Sequence, residues 1–176
     1  MNPRALLAAA AIVCFSISPT VVAPPPSNAA GEYAKHFAAL SQLSVAVAQA
    51  MPADQCGFRP HPESMDFGQL MSHIAVTNYQ FCASFENSAP PALPVPTEKN
   101  AIVRFLGDSF EYSSSIISNL TEEQLKDKHN SPMGVFPAAK FLPAMYIHVA
   151  HHRGQSRNLP PRQRHPPPTE SEGCTG

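Results

Sequence analysis

Along this chain apolar residues recur at spacings of three and four, while the strict alternation that marks half-buried strands is scarce. Tyr33, Phe37, Leu40, Leu43 and Val47 fall on one stripe and predict a first helix over Gly31–Met51. The stretch PADQCGFRPHPES is a proline-punctuated loop in which Phe58 is expected to pack and His61, between Pro60 and Pro62, to lie on the surface. A second helix is predicted from about Asp66 to Phe85. Asp66 and Gln69 have the spacing of a capping box, and Phe67, Leu70, Ile74, Val76, Phe81 and Phe85 are available to the core. ENSAPPALPVP ends that helix and forms a long connection, because a residue before proline is pushed out of the helical region. Thr97 can cap a third helix carrying Ile102, Phe105, Leu106, Phe110, Ile116, Ile117 and Leu120, and TEEQL from Thr121 adds a capping-box turn. After KDKHNSPMG a fourth helix runs from about Pro137 to Gln155, interrupted or restarted at Pro143, whose ring does not fit an undisturbed helix interior. Four helices with short and medium connections predict an all-α fold, an antiparallel four-helix bundle over residues 31–155.

The two ends of the chain differ from this middle. At the start, Arg4 precedes an apolar run from Ala5 to about Ile17, then small residues and Pro24 to Pro26, which is the layout of a secretory signal peptide and a Pro-rich spacer over residues 1–30. The run is well short of the roughly 20 residues that a spanning helix needs, so export to the periplasm or medium without a stable membrane anchor is expected. Small residues favour cleavage near Ala29 or Ala30, with a mature chain beginning near Gly31. The 20 prolines sit mainly at the termini and in connections, so the domain is shorter than the 176-residue chain. A net charge of −1 and a pI near 6.7 give no electrostatic case for nucleic acid. Without the leader, Cys56, Cys82 and Cys174 remain, an odd number; Cys56 and Cys82 could pair in an oxidising compartment, but a small buried hydrophobe is the role expected of Cys82.

Candidate chemistry concentrates in histidine. HVAHHRGQ, residues 148–155, holds three of the eight histidines. On a helix the i,i+4 spacing puts His148 and His152 one turn apart on one face, where two ring nitrogens can share an ion, with His151 turned aside. The competing reading is a solvated helix end whose imidazoles offset the negative end of the helix dipole. A third ligand must come from elsewhere. His73 lies in the second helix beside the apolar Leu70 and Ile74, where an unpaired imidazole is costly to bury. It is either a core histidine with a local partner or the third nitrogen. Three nitrogens leave a coordination position open, which is the pattern of catalytic metal sites.

These residues resemble the DinB/YfiT-like helical bundles. FGQLMSHIAVTNYQFC, Phe67 to Cys82, is similar to that family's second helix with its first ligand, IHVAHHRGQ to its paired ligands and trailing motif, and FRPHPESMDFGQL to its lead-in. The resemblance runs over about Gly31 to Gln155. It implies His73, His148 and His152 as ligands of a divalent ion (zinc, nickel, iron or manganese), with His151 beside them or on the surface. It also implies reactions of the thiol-dependent transferase and isomerase kind, although many members have no assigned reaction. After Gln155 the likeness ends, and residues 156–176 are expected to be a disordered or frameshifted tail. One choice of codons for residues 156–165, read one nucleotide later, yields the Tyr-Leu-Arg that the family carries three residues beyond Gln155.

Two functions follow as expectations. One is an exported metal-dependent transferase or hydrolase acting on a small molecule in a pocket between the second and fourth helices. Its general base is unassigned, with Asn78, Tyr79 and His151 as candidates. The other is a non-catalytic metal-binding or interaction bundle, with which a homodimer is compatible. G-x-S-x-G, H-E-x-x-H and phosphate-loop motifs are absent, so serine hydrolase, zincin and nucleotide readings have no footing.

Overall fold

The structure, a computed structural model, describes residues 26–131 and 134–156. The expected leader up to residue 25 lies outside the described residues, as does the expected tail apart from its first residue, Ser156, which is the buried last residue of the fourth helix. Four helices form the body: α1 (Asn28–Ala50), α2 (Phe67–Phe85), α3 (Lys99–Ile117) and α4 (Ala138–Ser156). A short antiparallel hairpin, β1 (Lys128–Ser131) with β2 (Gly134–Pro137), separates α3 from α4. The hairpin qualifies the all-α expectation: its residues show no helical or alternating pattern, and Gly134 sits at φ +116°, a turn conformation that only glycine adopts cheaply.

α1 starts three residues earlier than Gly31. Ser27 accepts from the backbone N–H groups of Ala29 and Ala30, its own N–H donates to Leu120 O at 2.6 Å, its hydroxyl donates to Glu122, and Ala30 is buried. The helix therefore begins inside the segment read as spacer. Its buried stripe is Phe37, Leu40, Ser44 and Ala48, whereas Leu43 is 52% exposed. Close helix approach selects the small residues, and Ser44 satisfies its hydroxyl by donating to Leu40 O.

The capping box at Asp66 is formed: Asp66 accepts from Gln69 N at 2.8 Å and Gln69 Oε1 accepts from Asp66 N at 3.0 Å. Thr97 does not cap α3; the helix begins one residue later, with Glu98 in the cap position and no side-chain bond there. Thr121 and Gln124 make the reciprocal bonds of a capping box, but in a turn. α4 runs unbroken through Pro143. The acceptor that Pro143 leaves without its N–H is the carbonyl of Ala139, and both residues are exposed, so water can take its place.

Chain directions correct the antiparallel expectation. Lys99 Nζ donates to Gln49 O, and Ser27 reaches Leu120, so α1 and α3 run antiparallel. Gly68 lies by Ile102, Asn78 bonds Ser109, and Tyr112 bonds Glu86, so α2 and α3 run parallel. Phe85 meets Phe141 and His73 meets His148, so α4 is antiparallel to α2. A parallel α2–α3 pair requires a return along the full bundle. α2 is about 28 Å long at about 1.5 Å per residue, and the extended, proline-rich segment 86–98 reaches on the order of 40 Å at about 3.1 Å per residue. The prolines that ended α2 are thus also what carries the chain back. The core between the helices holds Phe37, Met71, Ile74, Leu106, Phe110, Phe141 and Met145, all fully buried.

Candidate metal centre

Antiparallel α2 and α4 bring His73, near the start of α2, against His148 and His152, near the end of α4. One turn separates the two α4 rings, whose centroids are 4.4 Å apart. His73 faces both, at 5.0 Å from His148 and 4.8 Å from His152. One ligand atom from each residue can be chosen so that all lie within 4.8 Å of one another. His148 Nε2 is 3.1 Å from His73 Nε2. Two nitrogens 3.1 Å apart, each at about 2.0–2.1 Å from a shared ion, subtend an angle of roughly 100°, close to tetrahedral.

The protonation chemistry suits metal binding. Burial holds the His148 imidazole down to about 4, with the neighbouring His152, His73 and His151 adding to the effect. Burial, then His152, lowers His73 as well. Both rings are therefore neutral near pH 7, which is the ligand form. His152 Nδ1–H donates to Gln155 Oε1 at 2.7 Å, a bond that orients the ring and favours the tautomer that ligates through Nε2. His148 Nδ1 is buried without a hydrogen-bond partner. No described carboxylate or thiol joins the cluster. The donor set is three imidazoles, and it fits a divalent ion.

Other candidates are placed elsewhere. His151 is exposed and its ring lies against that of His152, so it stands beside the cluster. Asn78 is fully buried and donates to Ser109 Oγ at 3.1 Å, while Tyr79 packs on Phe105 and Tyr112; both belong to the α2–α3 contact. His61 is exposed and accepts from Glu63 N. Cys56 and Cys82 are both free thiols. Burial pushes Cys82 up to about 12, in keeping with a small core residue, and raises Cys56 to a lesser degree. His129 drew no attention in the sequence, yet it is buried, with Nδ1 3.1 Å from Oδ1 of Asn87, the residue at φ 50° beyond the end of α2. Asn87 lies about 20 Å along the helix axis from His73, so His129 is remote from the cluster.

Two grooves flank the triad. One, about 410 Å³, is lined by Phe58, Pro60, Met65, Phe67 and Leu70 and ends at His152 and Gln155. The other, about 670 Å³, is lined by Cys56, Met65, Gln69, Thr97 and Ile102 and includes His73. The loop between α1 and α2 supplies much of both walls, and its ends are pinned by Phe67 N to Phe58 O and Gly68 N to Cys56 O, each 2.9 Å. Sequence reading placed Phe58 in a packing role but gave no sign that Met65 borders two grooves. Loop residues have no periodicity from which to read their direction.

Comparison with known proteins agrees with this architecture. A DinB-like protein from Bacillus subtilis superposes with a TM-score of 0.62 at 21% identity, covering 72% of this chain and 88% of its own. A DinB-like protein from Bacillus cereus gives 0.62 at 17% identity, covering 71% and 86%. A conserved protein from Enterococcus faecalis gives 0.60 at 17% identity, covering 72% and 91%. At these identities the likeness is one of fold. No curated protein matches the chain. The sequence profile of the DinB superfamily matches residues 29–156, from the first turn of α1 to the last residue of α4, and the chain belongs to that superfamily.

Proposed function

We propose that this protein is an exported, metal-dependent enzyme in which His73, His148 and His152 hold one divalent ion, zinc, nickel, iron or manganese, and that it transfers or hydrolyses a group on a small molecule. The observation that carries the reading is the meeting of three imidazoles from two helices beside open grooves. A divalent ion bound there supplies Lewis acidity and lowers the pKa of a coordinated group. The chain's own contributions are more specific. Gln155 holds His152 in the Nδ1–H form. Phe58, Met65 and Phe67 give one side of the site an apolar wall. His151, exposed beside His152, is the described side chain best placed to carry a proton between the site and solvent.

Export rests on the amino-terminal pattern; among the described residues no helix is long and apolar enough to cross a membrane. A second reading, a non-catalytic metal-binding bundle, is favoured by one observation: no described carboxylate joins the triad to act as a general base. Metal analysis and turnover separate the outcomes. His148→Ala and His152→Ala should each lose most of the bound metal, while His151→Ala and His61→Ala retain it. Equal loss in His151→Ala refutes the ligand assignment. Metal-loaded protein that stays inert on thiol, ester and amide panels supports the bundle instead.

A further inference from the structure

Met65 is 47% exposed, and it is the described residue that lines both grooves beside the triad. The loop that carries it is held on both sides. Phe67 N and Gly68 N close its base, Arg59 Nη2 donates to Asp66 Oδ2 at 3.1 Å, and Asp66 is fixed by its capping box. The two grooves differ in chemistry. On the His73 side Asp66, Gln69 and Thr97 face the space. On the His152 side the lining is Phe58, Pro60, Met65, Phe67 and Leu70, with Ser64, Gln155 and Ser156 as its polar atoms. Apart from His152, the described lining of that second groove holds no ionisable side chain. An anionic or cationic ligand body placed there loses hydration and gains no charged partner among the described lining residues beyond His152, whereas an apolar one gains burial.

We infer that the groove on the His152 side takes the apolar body of a neutral small substrate whose polar head reaches the ion, and that Met65 is the specificity-determining partition between this groove and the other. The inference rests on the metal reading above. The head group is set by what three imidazoles leave open. Met65 limits how far such a body extends toward His73.

Cobalt(II) substituted into the full protein tests this, because its visible absorption reports each ligand that joins the coordination sphere. Three probes share one head: imidazole, 4-phenylimidazole and imidazole-4-acetate. The wild-type protein should bind 4-phenylimidazole about ten-fold more tightly than imidazole, the gain expected for partial burial of one ring, and should show no gain for the acetate. Met65→Trp, which fills the mouth at an exposed position, should erase the phenyl advantage. Met65→Leu should keep it. Equal binding of the phenyl and parent probes, preference for the acetate, or a phenyl advantage untouched in Met65→Trp overturns this inference alone. Failure to take up cobalt overturns the metal reading, and this inference with it.

Discussion

Replacing His148 by leucine should move the protein's stability in opposite directions with and without metal. Without metal, His148 contributes an imidazole that is half-buried, whose Nδ1 has no partner and whose titration is pushed down to about 4 by burial first and by neighbouring histidines second. A buried polar group left unpaired costs about 1–3 kcal/mol, and leucine at a half-buried site of similar size removes that cost; the His148 Nε2–His73 Nε2 contact at 3.1 Å goes with it, a loss of about 0.5–1.5 kcal/mol that water offsets in part because His73 is only partly buried. The metal-free variant should therefore be as stable as the parent or up to about 2 kcal/mol more stable, an upward shift of several degrees for a domain of this size. With metal the sign reverses. Binding to the folded state alone stabilises by about 4 kcal/mol when free metal is a thousand times its dissociation constant, and losing one of three ligands removes nearly all of that. Calorimetry at pH 7.5, with chelator and then with zinc or nickel, reads both effects. A metal-free variant destabilised by more than about 2 kcal/mol assigns His148 a packing role. A variant that still gains the parent's full metal shift refutes the ligand role.

Three further outcomes are expected. His73 and His148 have folded-state pKa values below their ordinary range, so the unfolded chain takes up protons first. Metal-free stability should fall as pH drops below about 6.5 and continue falling toward pH 4, and His148→Leu should flatten that slope; a profile unchanged by the substitution refutes the assignment. Gln155→Ala frees the His152 tautomer and should weaken metal binding about ten-fold by competition titration, while Gln155→Glu, which keeps an acceptor, should restore much of it. For an exported protein, Ser27 and Ala30 are needed to start and bury α1, so intact mass from the native host should place the new terminus before Ser27; a terminus at Gly31 contradicts that role for Ser27.

The helices were legible because burial on one face imposes a period, and Phe37, Leu70, Ile74, Leu106 and Phe110 display it. The period fixes a face and leaves direction open. A stripe of apolar residues reads the same whether its helix runs up or down, so the parallel α2–α3 pair was hidden, and its signal was the length and proline content of segment 86–98 rather than any helix. Phase errors had the same origin: Leu43 and Ser44 are consecutive, about 100° apart around α1, and which of them is buried rests on how closely α1 approaches its partners, a property of the packed bundle. For the site, the i,i+4 pair could be read locally, but His73 was reached only through the likeness of Phe67 to Cys82 to a family's ligand-bearing helix, since its apolar flanks alone do not distinguish a ligand from a core histidine. What resolves it is a backbone that returns α4 antiparallel to α2 and sets nitrogens 75 residues apart at 3.1 Å. Three imidazoles held this way are better suited to an ion than to each other. Only one N–H can lie between His73 and His148, whereas an ion accepts a lone pair from every ring at once.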